Sequence, residues 1–326
     1  MKIFLSEKEK REWKKILRSL DLTIEESDFW NAVLFGEIPE NEWLPKAKRL
    51  SISDYIDDPY MNNVLPKECE IDDVFLRYER YRKKEGFVYD EITYDPMTYQ
   101  ERTPFGYFDE GFRYLALGKG DATWMSVIPH EINTMRKPIE EANGKVLTLG
   151  LGIGYYVYNV LMKKNVEEVT VVEYNKDIIE VFKKHLLPFF PNKEKLKIIE
   201  GDAFEYLSHA KAFDYCFADL WHMPEDGLPM YIKLRKYEDI HPNATFSYWI
   251  EKSMLSLIRR SLIVLFDEEM NRETSDNDYM ESETLGDRLI NGLHFLLKGT
   301  EIKNIADLHG FLDIEGLREL AKKLVI

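Results

Sequence analysis

Between Lys145 and Met270 short apolar, β-branched runs alternate with longer stretches of helical spacing, and this alternation limits the fold more than any other feature. "KVLTLG", "EEVTVVEYN", "EKLKIIEGD", "AFDYCFADLW" and "ATFSYWI" read as strands. "YYVYNVLMKK", "KDIIEVFKKHLLPFF", "AFEYLSHAK", "MYIKLRKYEDI" and "EKSMLSLIRRSLIVLFDEEM" read as the helices that follow them. Strands joined through helices can lie parallel, whereas antiparallel neighbours need only a tight turn. Strands that are apolar nearly throughout are buried on both faces. The series predicts an α/β fold, a Rossmann-like parallel sheet with helices on both sides.

In such a sheet, ligands sit beyond the carboxyl ends of the strands, where the strand order reverses. Four of these ends carry chemistry. The first is Gly150-Leu151-Gly152-Ile153-Gly154, a glycine turn that lets backbone approach a ligand and opens a helix with free N–H groups. Gly150, Leu151, Gly152 and Gly154 are therefore candidate cofactor contacts. The second is Glu173, which closes "VTVVE" and can accept both hydroxyl hydrogens of a ribose. The third is Asp202-Ala203, where the carboxylate can accept from an adenine amine, Ala203 leaves room for the ring, and Asp202 can also cap the next helix. The fourth is Asp219, able to steer or deprotonate an amine, with Trp221 and His222 just beyond it. The glycine turn and Glu173 alone would admit NAD as readily as another adenosine ligand. Asp202 favours the latter.

Residues 1–86 read as a helical appendage. Ser6 and Glu9 form a capping box ahead of Trp13, Ile16, Leu17 and Leu20, a second short helix is expected from Asp28 to Phe35, and "DDVFLRYERYRKKEG" supports a third. Residues 87–120 read as a small β-strand region, and 121–270 as the α/β core, opening with a proline-interrupted helix from Trp124 to Ala142. Residues 271–326 read as a C-terminal helical tail entered through a polar, acidic loop, "RETSDNDYMESE", expected to be mobile. A formal net charge of -15 disfavours nucleic acid and anionic membranes as partners and suits cationic small molecules. Cys69 and Cys216 provide no disulfide scaffold, and no apolar run reaches the roughly 18 residues a membrane helix needs. A cytoplasmic protein with no membrane partner is expected, and a homodimer is compatible with the sequence.

From about Phe105 to Trp221 the chain resembles the S-adenosylmethionine-dependent methyltransferase superfamily, specifically its spermidine synthase-like (polyamine aminopropyltransferase) branch. "VLTLGLGIG" corresponds to the glycine-rich motif of that family, Glu173 to the acid that holds the cofactor ribose, Asp202-Ala203 to the adenine pair, and Asp219 to the catalytic aspartate. "VIPHEINTM" resembles the family's His-Glu segment and so brings His130 and Glu131 to the site. The resemblance implies transfer of a methyl or aminopropyl group from S-adenosylmethionine or decarboxylated S-adenosylmethionine to a small, amine-type acceptor, with no metal. The acceptor pocket is expected around Tyr107, His130, Glu131, Trp221 and His222. Two departures remove acidic contacts that the resemblance implies. Ile153 stands where the family carries an aspartate that helps hold the amino end of the decarboxylated cofactor, and Leu220-Trp221-His222-Met223-Pro224 replaces Ser-x-Asp-Pro, which argues against synthesis of ordinary spermidine. Two other classes stay open: a non-catalytic S-adenosylmethionine-binding or interaction protein, and an NAD-dependent oxidoreductase.

Overall fold

The computed structural model describes residues 1–271 and 284–326. Five strands form a wholly parallel sheet in the order Leu196–Glu200, Val166–Glu173, Gly144–Leu149, Tyr215–Ala218 and Thr245–Tyr248. The expected alternation is present. Helices Tyr155–Leu161, Lys176–Val181, Ala203–His209 and Pro224–Arg235 connect the strands, and Glu251–Asn271 follows the last. The interior positions of the central strands are almost fully buried, Val146, Leu149, Val169, Val171 and Phe217 among them, and this is why those strands read as apolar runs. From its first strand the chain steps outward twice, then returns to the other side of that strand at Tyr215. The order therefore reverses between Gly144–Leu149 and Tyr215–Ala218, and Gly150 and Asp219 emerge side by side from this switch point.

A second, antiparallel sheet has the order Ala122–Ser126, Phe112–Lys119, Val74–Tyr81 and Cys69–Ile71. Two sequence expectations are corrected by it. "DDVFLRYERYRKKEG" is not a helix, because Val74–Tyr81 pairs along its whole length with Phe112–Lys119 and buries Val74, Phe75 and Leu76. Strands of the β region thus begin inside the stretch read as a helical appendage. Trp124 does not start a helix either. It lies in the strand Ala122–Ser126, and the helix starts at Pro129, a first-turn position that suits proline's missing N–H.

The Ser6–Glu9 capping box is formed, and its helix runs unbroken from Glu7 to Leu34, absorbing the separate helix expected from Asp28. This helix is anchored to distant parts of the chain. The Trp13 indole N–H donates to Asp267 at 3.1 Å and its ring meets Phe266 edge-on, while the Ile305 N–H donates to Glu9 at 3.0 Å. In the tail, Leu285–Leu296, Ile305–Leu312 and Ile314–Lys323 are helical. The acidic loop "RETSDNDYMESE" lies outside the described residues. Among the described residues, no helix is long and apolar enough to cross a membrane.

Candidate functional site

The turn after the first core strand requires glycine for reasons of both conformation and space. Gly150 and Gly152 have φ of +94° and +50°, where a side chain is strained. A Cβ on Gly150 would lie 2.0 Å from the Asp219 carbonyl oxygen, and one on Gly152 would lie 2.2 Å from the Met125 sulfur. The N–H groups of Gly150, Leu151, Ile153 and Gly154 are engaged within the protein. Gly150 donates to the Val172 carbonyl at 2.9 Å, Leu151 to Glu173 Oε2 at 3.0 Å, and Ile153 to Met125 Sδ at 3.3 Å. On its other side the Ile153 carbonyl accepts from the buried Tyr60 hydroxyl at 2.7 Å. Tyr60→Phe keeps the ring packing against Tyr155 and Tyr158 but orphans that carbonyl. We expect a loss of about 1–3 kcal/mol in denaturant unfolding, the cost of one unsatisfied buried acceptor.

Three carboxyl groups converge behind the turn. Glu173 is buried at its strand end, with Oε2 on the Leu151 N–H and Oε1 accepting from the Asn175 N–H at 2.7 Å. Burial raises its pKa, and the backbone donors oppose that rise. Asp219 is pushed up to about 7, first by burial and then by the Glu173 charge. Glu131 lies near the start of the helix Pro129–Glu141 and is raised well above the carboxylate range, first by burial and then by Asp219. Its Oε2 is buried without a hydrogen-bond partner among the described residues. Three such groups cannot all carry charge in so dry a place unless a cation joins them.

The turn, Glu173 and Asp219 border a cleft of about 370 Å³, and Glu131 is not among its walls. Of the residues singled out in the sequence, Gly150, Leu151, Gly152, Glu173, Asp219, Trp221 and His222 line it. Gly154 does not. It faces Phe182 and Phe190, where a Cβ would collide with their rings. Asp202 lies one strand further along the same sheet end, its Oδ1 accepting from the Phe204 and Glu205 N–H groups at 2.9 Å each as the cap of Ala203–His209, and Ala203 is buried beneath it. His130 packs edge-on against Trp249, and burial lowers its pKa to about 4, so it is neutral at ordinary pH. Tyr107 falls away from the cleft, in a separate apolar cluster against Trp43.

Sequence reasoning missed several walls of the cleft: Trp124, Met125, Tyr174, Asn175 and Ile178. Trp124 and Met125 were hidden by the helical reading of their segment. Tyr174, 78% exposed at the mouth, directly follows Glu173, and this adjacency to a strand-end acid was the available signal. Trp221 is more wall than ligand handle, since its indole N–H donates to the Trp249 carbonyl at 3.2 Å.

Comparison with known proteins bears on the same region. Residues 128–230 match the family described as the spermine/spermidine synthase domain. Polyamine aminopropyltransferase 2 of Hyperthermus butylicus is 33% identical over 87 residues, which make up 26% of this chain and 28% of that protein. The chain therefore spans less than a third of the relative's length. Spermidine synthase from Thermotoga maritima aligns over 45% of this chain and 59% of its own, at 18% identity and a TM-score of 0.33. A spermidine synthase in complex with the transition state analogue AdoDATO aligns over 45% and 58%, with the same identity and score. The spermidine synthase-like resemblance of the sequence holds over the central segment, where residues 128–230 match the spermine/spermidine synthase domain.

Proposed function

We propose that the protein is a transferase that moves an aminopropyl group from decarboxylated S-adenosylmethionine to a small amine. The observation that carries this reading is that Asp219 and Glu173 line one cleft with the glycine turn at the switch point of the sheet. A sulfonium donor and an ammonium acceptor both bring positive charge, which is what these desolvated carboxyl groups lack. The matched domain over residues 128–230 and the aminopropyltransferase relative support the same donor.

In this reading Glu173 accepts from the ribose hydroxyls with the lone pairs left free by its two backbone donors. Asp202 lies towards the adenine end. The donor supplies an electrophilic methylene beside sulfur, so the residues chiefly align a nucleophile with it. Asp219, with a pKa near neutrality, suits acceptance of a proton from an ammonium. Burial raises the pKa of Glu131 and so favours its neutral form beside Asp219.

Calorimetry of the purified protein against decarboxylated S-adenosylmethionine, S-adenosylmethionine and NAD tests the reading. The decarboxylated donor is expected to bind most tightly and NAD not at all. Preferred binding of NAD would overturn the proposal. Tight donor binding with no methylthioadenosine released from any amine would favour a non-catalytic binder.

A further inference from the structure

The walls beyond Asp219 differ in character from the acidic floor. Among the described residues lining the cleft, the carboxylates are Glu173 and Asp219. Glu173 is held to the turn by two backbone N–H groups, which leaves Asp219 to meet both the ammonium of the donor's aminopropyl arm and that of an acceptor, so the second ammonium of a diamine would be a third. Leu117, Trp124, Leu220, Trp221 and His222 are further walls of the cleft, the last three following Asp219 directly in the chain. Trp221 turns its N–H away to Trp249 and so presents carbon to the cleft. The Trp124 and His222 rings lie 6.2 Å apart and tilted by 31°. A linear diamine would have to place its second ammonium among these groups. No described lining carboxylate awaits it there. Leaving an ammonium unpaired in a partly dry site is costly, whereas an apolar body gains by covering aromatic walls.

Resting on the proposed function, we infer that the acceptor is a primary amine with one cationic centre and an apolar, aryl or alkyl body, rather than a diamine. In the transfer, Asp219 takes a proton from the bound ammonium. The freed nitrogen lone pair attacks the donor methylene, and the C–N bond forms as the C–S bond breaks. Sulfur keeps the bonding pair and leaves as neutral methylthioadenosine, the product departs as a secondary ammonium, and Asp219 returns its proton to water.

The test uses the full chain with saturating decarboxylated S-adenosylmethionine and compares phenethylamine and hexylamine with putrescine and cadaverine. Methylthioadenosine release gives kcat/KM. Amine binding is followed separately by tryptophan fluorescence in the presence of methylthioadenosine. The monoamines are expected to lead by about tenfold or more in both readouts, the effect of somewhat over 1 kcal/mol of unpaired charge. His222→Asp, which places a carboxylate on the apolar wall, is expected to narrow or reverse that ratio. Diamines preferred by the native protein, or a His222→Asp protein that turns over with an unchanged ratio, would overturn the acceptor assignment alone. Failure of the decarboxylated donor to bind, or of any amine to release methylthioadenosine, would overturn the transfer reading and this inference with it.

Discussion

Asp219→Asn is expected to lower turnover by roughly 10²-fold or more while leaving the affinity for the adenosyl donor nearly unchanged. In the proposed function the donor rests chiefly on the glycine turn, Glu173 and Asp202, whereas the proton of the acceptor falls to Asp219. Steady-state rates and calorimetry on one preparation separate the two effects. The pH profile gives a second check. Only the ionised carboxylate accepts a proton, so kcat/KM of the native protein should rise with pH through about 7, and that limb should be missing from the Asn protein. Stability should move the other way. The folded pKa of Asp219, about 7, lies above its unfolded value of roughly 3.9, so the folded state holds the extra proton between these two limits. Native stability therefore falls as pH rises through that window. Asp219→Asn should melt at a higher temperature than the native protein near pH 8, and the gap should close near pH 4. A variant that loses rate, donor affinity and melting temperature together would show Asp219 to be structural.

Glu173→Ala should have the larger effect on binding. The carboxylate closes the Leu151 N–H at 3.0 Å and the Asn175 N–H at 2.7 Å, and in the proposed function it also receives the ribose hydroxyls. Losing these charge-assisted bonds is expected to weaken donor binding by about 10²-fold, or 2–3 kcal/mol, in calorimetry. Asp202→Ala should cost less affinity, because the proposed function gives it a single adenine contact. It should instead lose about 1 kcal/mol of stability with the helix cap it forms. An Asp202 variant that binds as poorly as the Glu173 variant would overturn this ordering.

The α/β core was legible because parallel strands buried on two faces must be apolar along their length, and the helices between them keep their own period. The strand ends were legible for a related reason: Gly150, Glu173 and Asp219 interrupt apolar runs with residues that packing alone would not choose. The antiparallel sheet was harder. Val74–Tyr81 mixes Arg77, Glu79 and Arg80 with aromatics, a composition that suits an exposed helix face as well as a strand with one wet side. Pairing with Phe112–Lys119, far away in sequence, decides the matter, and no local pattern reports it. The same blindness reached the site. Reading Trp124–Ile128 as helix removed Met125 from consideration, although its sulfur rests on the Ile153 N–H. Tyr107 failed for the opposite reason, because its β-region position was legible but the direction of its packing, toward Trp43, was not.

The peptide of Ile153 is gripped from two sides, by Met125 on its N–H and by Tyr60 on its carbonyl, and both partners precede the segment that matches the synthase domain. The matched segment is consequently not a portable cassette. Cut free at its boundary, or grafted behind a different leader, it would carry its glycine turn with a bare N–H and a bare carbonyl at the same residue. Only a replacement leader bringing its own acceptor and donor to those two points would restore the turn. For anyone swapping domains, the segments that carry Tyr60 and Met125 have to travel with the core.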